Sequence, residues 1–109
     1  MAREHFTLKR LARLRGMADP DPRTAHLIDL RPSAEQALSP LTGARVTALT
    51  LDQIEDGQHG LTPAPEPLLV VCARGTQADL AARYLRSDGL DARAWRGTVA
   101  ELQAQLRDG

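Results

Sequence analysis

Short apolar runs alternate along this chain with segments of helical period, and turn residues separate the two. His26-Leu27-Ile28-Asp29-Leu30 and Leu68-Leu69-Val70-Val71 lack the polar alternation of a half-solvated strand, so both read as strands buried on two faces of a parallel sheet. Arg45-Val46-Thr47-Ala48-Leu49 and Leu90-Asp91-Ala92-Arg93-Ala94-Trp95 supply two further short strands. Three segments carry the spacing of a helix-opening capping box: Ser33-x-x-Gln36, closed by Pro40; Thr50-x-x-Gln53, ending near Gly57; and Thr98-x-x-Glu101, with Val99, Leu102 and Leu106 on its apolar side. A fourth helix follows Cys72, with Leu80, Ala81, Tyr84 and Leu85 forming one apolar face opposite Asp79, Arg83 and Arg86, and Gly89 as a left-handed cap.

The glycines and prolines over residues 57–67 mark a surface loop. Near the start, Leu8, Leu11 and Leu14 stand three apart among Lys9, Arg10, Arg13 and Arg15, which predicts an amphipathic helix opened by Thr7 and ended at Gly16. Asp19-Pro20-Asp21-Pro22 then forces an extended connector. The alternation of strand and helix predicts an α/β fold, a parallel sheet with helices on both faces over residues 25–109, flanked by the basic helix and connector of residues 1–24.

Composition narrows the partners. At 109 residues there is room for one domain and no second catalytic module. Fourteen basic and fourteen acidic residues cancel, so no global field points to nucleic acid or to an anionic membrane, and neither is expected as a partner. The basic face of the first helix reads as a solvated surface, with RNA or an acidic protein as the sharper alternative. No apolar run approaches the roughly 18 residues of a membrane span, and one cysteine forms no intramolecular disulfide; the expected location is cytoplasmic. Cys and His form no cluster at metal-ligand spacing, so no metal or other cofactor is expected.

The candidate chemistry lies where the run Leu68 to Val71 stops at Cys72, the only cysteine, and Ala73-Arg74-Gly75-Thr76-Gln77-Ala78 leads into a helix. Loop N–H groups ahead of a helix converge with the positive end of its dipole, an arrangement that stabilises a thiolate, the nucleophilic form of cysteine. A buried strand-end thiol fits the same local pattern. Asp29 and Arg31 fall at the C-terminal end of another strand, the end that faces the ligand crevice of open α/β sheets; they are candidates for supporting the site, through an ion pair that holds the loop or through direct contact. His26, at the start of that strand, reads as a satisfied polar edge.

In this order the residues resemble the rhodanese-like sulfurtransferases over residues 25–106. Leu27-Ile28-Asp29-Leu30-Arg31 is similar to the family's strand ending in Asp-x-Arg, and Gly43-Ala44 keeps the end of its Gly-His-Ile-Pro-Gly-Ala stretch. Cys72-Ala73-Arg74-Gly75 resembles the active-site Cys-x-x-Gly loop, and Trp95-Arg96-Gly97-Thr98 lies at the late Leu-x-Gly-Gly stretch with one glycine kept. The resemblance implies a rhodanese-like sheet of four to five mostly parallel strands and a persulfide on Cys72. Sulfur would come from thiosulfate or another small sulfane donor and pass to cyanide or a thiol, free or on a protein. It further implies substrate binding by Ala73, Arg74, Gly75, Thr76, Gln77 and Ala78, with Arg74 on sulfonate oxygens and Gly75 allowing the tight turn. Gln77 stands where many members have a loop arginine. Two alternatives accompany this reading: a non-catalytic rhodanese-like binding module, and a phosphatase or arsenate reductase, whose Cys-x5-Arg would place arginine where this chain has Ala78.

Overall fold

The computed structural model describes residues 20–73 and 76–107. The N-terminal amphipathic helix expected over residues 7–16 lies outside them, as do Arg74 and Gly75.

Four strands and four helices alternate among the described residues: β1 (His26–Asp29), α1 (Ser33–Leu38), β2 (Arg45–Ala48), α2 (Leu51–Glu55), β3 (Leu68–Val71), α3 (Thr76–Ser87), β4 (Ala92–Ala94) and α4 (Val99–Arg107). The sheet runs β2-β1-β3-β4 with every pairing parallel. Its centre is β1 beside β3, in the register Leu27 to Leu69 and Ile28 to Val70, and all eight residues of the two strands are buried. That double burial is why neither run alternates in sequence.

Side chains leave the central strands alternately toward two cores. Ile28, Leu68 and Val70 pack with Ile54 of α2 and with Ala78, Ala81, Ala82 and Leu85 of α3. Leu27, Leu69 and Val71 pack on the other face with Trp95 and with Leu102 and Leu106 of α4. Each large side chain so buried contributes about 1.5–3 kcal/mol. The helix face that α3 presents is therefore the stripe 78, 81, 82 and 85, spaced i, i+3, i+4, i+7. Leu80, expected on that face, is 40% exposed, because three alanines make the actual seam and let the helix sit close on the sheet.

Local signals act unevenly. Thr50 and Gln53 form a reciprocal capping box, the Gln53 N–H donating to Thr50 Oγ1 at 3.1 Å and the Thr50 N–H to Gln53 Oε1 at 2.9 Å. Thr98 and Glu101 do the same at the start of α4. The box expected at Ser33 does not form: Pro32 occupies the cap position, and the Gln36 amide donates to the Arg31 carbonyl at 2.7 Å instead. Gly89, at φ +86°, ends α3 as expected, with the Leu90 N–H donating back to the Leu85 carbonyl at 3.0 Å.

Candidate active site

The order β2-β1-β3-β4 fixes where a ligand crevice opens. After β1 the chain moves outward to β2, then returns across β1 to place β3 on its other side, so the connections diverge at the C-terminal ends of β1 and β3. In parallel α/β sheets that divergence leaves a crevice. Arg31 follows the end of β1 and Cys72 follows the end of β3, while the Leu30 N–H donates to the Val71 carbonyl at 2.8 Å and ties the two ends together.

Cys72 is half-buried, and its Sγ accepts the Ala78 N–H at 3.2 Å. Ala78 lies in the first turn of α3, where backbone N–H groups have no partner within the helix. One of these donors therefore points at the sulfur, along with the positive end of the helix dipole. Ala78 itself is fully buried against the sheet, which anchors the donor.

Two clefts meet at this sulfur. One, of about 360 Å³, opens over β1 and β3 and is lined by Leu30, Pro32, Glu35 and Gln77 together with Cys72, Ala73 and Thr76. The other, of about 660 Å³, opens over β3 and β4; Cys72, Ala73 and Thr76 border it too, opposite Asp79, Trp95, Arg96, Gly97, Thr98 and Glu101. Cys72 is thus approachable from two sides.

Asp29 and Arg31 do not line either cleft. Both are buried and bound to one another: Arg31 Nε and Nη2 donate to the two Asp29 carboxylate oxygens at 3.0 Å each, and the Arg31 N–H donates to Oδ1 at 3.0 Å. Arg31 Nη2 also donates to the Ser39 carbonyl at 2.8 Å, pinning the end of α1. The pair holds the loop that forms one wall of the smaller cleft. His26, 7% exposed at the opposite end of β1, shares a 2.7 Å hydrogen bond with Thr47 Oγ1. Burial first, then the Arg45 charge, push its pKa below the ordinary value, with Glu66 acting weakly in the other direction.

The β4–α4 turn walls the larger cleft with residues that the sequence did not single out as candidates for the site. Trp95 is buried and its Nε1–H donates to the Thr98 carbonyl at 2.8 Å, fixing the turn. Arg96 reaches across the larger cleft to Asp79 of α3, with nitrogen–oxygen separations of 3.4 Å. The signal that locates these residues is topological: they follow the end of β4, on the same edge of the sheet as Cys72.

These features define a small parallel α/β domain with a cysteine at the topological switch point, its sulfur on a helix N-terminus. The sequence matches no protein-family model and no curated protein. Among solved structures it is similar to a rhodanese homolog from the extremely thermophilic bacterium Thermus thermophilus, at 34% identity over 68% of this chain and 78% of that one, with a TM-score of 0.54. On that similarity the chain belongs to the rhodanese family. A rhodanese-like domain protein from Staphylococcus aureus shares the fold at 24% identity, covering 77% of this chain and 76% of that one, with a TM-score of 0.56. The reduced CoADR-RHD of Bacillus anthracis shares it at 21% identity and a TM-score of 0.58, over 77% of this chain and 14% of that longer one.

Proposed function

We propose that the protein is a sulfurtransferase that carries a sulfane sulfur as a persulfide on Cys72. The observation that carries this reading is the Ala78 N–H held on Cys72 Sγ at 3.2 Å, where Cys72 lines both clefts. Family membership supports it.

In the first step the Cys72 thiolate attacks the outer sulfur of a donor. With thiosulfate, an Sγ–S bond forms, the bond to the sulfonate sulfur breaks, and sulfite leaves with the electron pair. The extra charge moves to the terminal sulfur, one bond further out, where first-turn N–H groups of α3 such as that of Ala78 stabilise it. Thr76 and Gln77, exposed on the first turn of α3, offer neutral hydrogen bonds to that sulfur or to the donor. Arg74 and Gly75 keep the roles that the resemblance implies, sulfonate binding and a tight turn. In the second step a thiolate or cyanide attacks the terminal sulfur and Cys72 Sγ departs as thiolate, restoring the starting state. Asp29 and Arg31 act as supports of the loop and touch no reactant. The acceptor is a small thiol, cyanide or a protein thiol, and a reducing compartment such as the cytoplasm keeps Cys72 ready.

Incubation with thiosulfate adds one sulfur, ~32 Da, to the intact mass, and C72S gains nothing. Failure of thiosulfate and of low-molecular-weight persulfides to add this mass, while iodoacetamide still modifies Cys72, would overturn the proposal.

A further inference from the structure

Arg96 is the only cation among the described residues that line either cleft meeting Cys72. It is 69% exposed in its side chain, and its partner Asp79 is 47% exposed. Both contacts between them measure 3.4 Å, a loose pairing at a solvated rim, and exposed pairs of this kind hold their partners weakly. The other charged group on that wall, Glu101, is engaged elsewhere: its Oε1 accepts from the Thr98 N–H and hydroxyl.

We infer that Arg96 is a residue, in addition to Arg74, that selects anionic donors at the larger cleft, and that Asp79 holds it in check until such a donor displaces the carboxylate. The inference rests on the persulfide reading for its biological meaning and deepens it by assigning the larger cleft to the donor. Among the described residues that wall carries two carboxylates and one guanidinium, so Arg96 supplies the cationic side chain that an approaching anion meets there. An oxyanion such as the sulfonate of thiosulfate offers the guanidinium two oxygens in place of those of Asp79, which leaves its outer sulfur free to face Cys72 in the same cleft. The carboxylate released from Arg96 stays at the N-terminal turn of α3, where the helix dipole favours it. Arg96 acts by positioning and attracting the donor, and it takes no part in breaking the sulfur–sulfur bond.

The test separates charge selection from thiol reactivity, using two alkylating agents of similar size. Each forms an Sγ–CH2 bond on Cys72 with loss of iodide, giving a carboxymethyl or a carbamidomethyl thioether, but iodoacetate is an anion and iodoacetamide is neutral. At low ionic strength R96A is expected to lower the iodoacetate rate by about threefold to tenfold while the iodoacetamide rate stays within about twofold. R96K recovers most of the loss, D79N raises the iodoacetate rate, and added salt shrinks every difference. For thiosulfate the same variants shift KM, with kcat little changed. An iodoacetate-to-iodoacetamide ratio unaltered in both R96A and D79N overturns the inference. Because alkylation needs no sulfur transfer, this ratio decides the role of Arg96 whether or not thiosulfate adds mass to the wild-type protein.

Discussion

Gly97 lies beneath the indole of Trp95: a Cβ placed on this glycine would stand 3.0 Å from Trp95 Cζ2 and 3.1 Å from Glu101 Oε2. Neither neighbour yields freely, since the Trp95 ring is tied by Nε1 to the Thr98 carbonyl and the Glu101 carboxylate is tied into the cap of α4. G97A therefore overpacks the turn that walls the larger cleft. The expected cost is about 1–3 kcal/mol in urea unfolding, with sulfur transfer reduced as Arg96 and Thr98 shift. An alanine variant as stable and as active as wild type would show that the turn relaxes around the methyl group.

The Asp29–Arg31 pair is expected to be the most sensitive polar contact in the domain. Its side chains are 4% and 2% exposed, so removing the guanidinium leaves a carboxylate buried without its counter-charge. R31M should cost about 3–5 kcal/mol, a large share of the 5–15 kcal/mol that holds a typical domain together. The double variant D29L/R31M removes both charges and should be more stable than R31M alone. Denaturant midpoints of the two variants decide this, and a double variant less stable than the single would contradict it.

Capping chemistry separates two segments with the same sequence signature. Thr50 accepts the Gln53 N–H, whereas Ser33 makes no cap bond because Pro32 takes the cap position. T50A is expected to lose about 1 kcal/mol. S33A should stay within about 0.5 kcal/mol of wild type, as an exposed substitution away from any such contact does. Equal losses in thermal unfolding would refute the distinction.

That contrast shows how far the fold was legible in the sequence. Buried strands declared themselves because unbroken apolar runs such as Leu68 to Val71 have few other uses, and Gly89 marked the end of α3 because a left-handed residue favours glycine. What misled was local: the Ser33 spacing is necessary for a capping box but does not exclude a neighbour, and Leu80 outweighed the alanines that form the true seam of α3. For the candidate site, Cys72 and Ala78 were legible because they are close in sequence, six positions apart, on one strand–loop–helix unit. Arg96 and Asp79 were not, since they lie 17 positions apart and only the adjacency of β3 and β4 brings them to one cleft.

His26 gives the fold a defined response to acid. The imidazole is buried beside Thr47 and its pKa is lowered, first by burial and then by Arg45. In the unfolded chain it titrates near its ordinary value of about 6.5, so below that pH the unfolded state binds a proton that the native state refuses. The stability this histidine contributes is complete above about pH 6.5, falls as the pH drops through that value, and levels off once the pH is below the native pKa. Unfolding midpoints of wild type and H26Q, measured at pH 7.5, 6.5 and 5.5, isolate the effect because every other titrating group is common to both. The stability difference in favour of wild type should shrink, or reverse, on acidification; a difference that grows as the pH falls would mean that the native state prefers the charged imidazole.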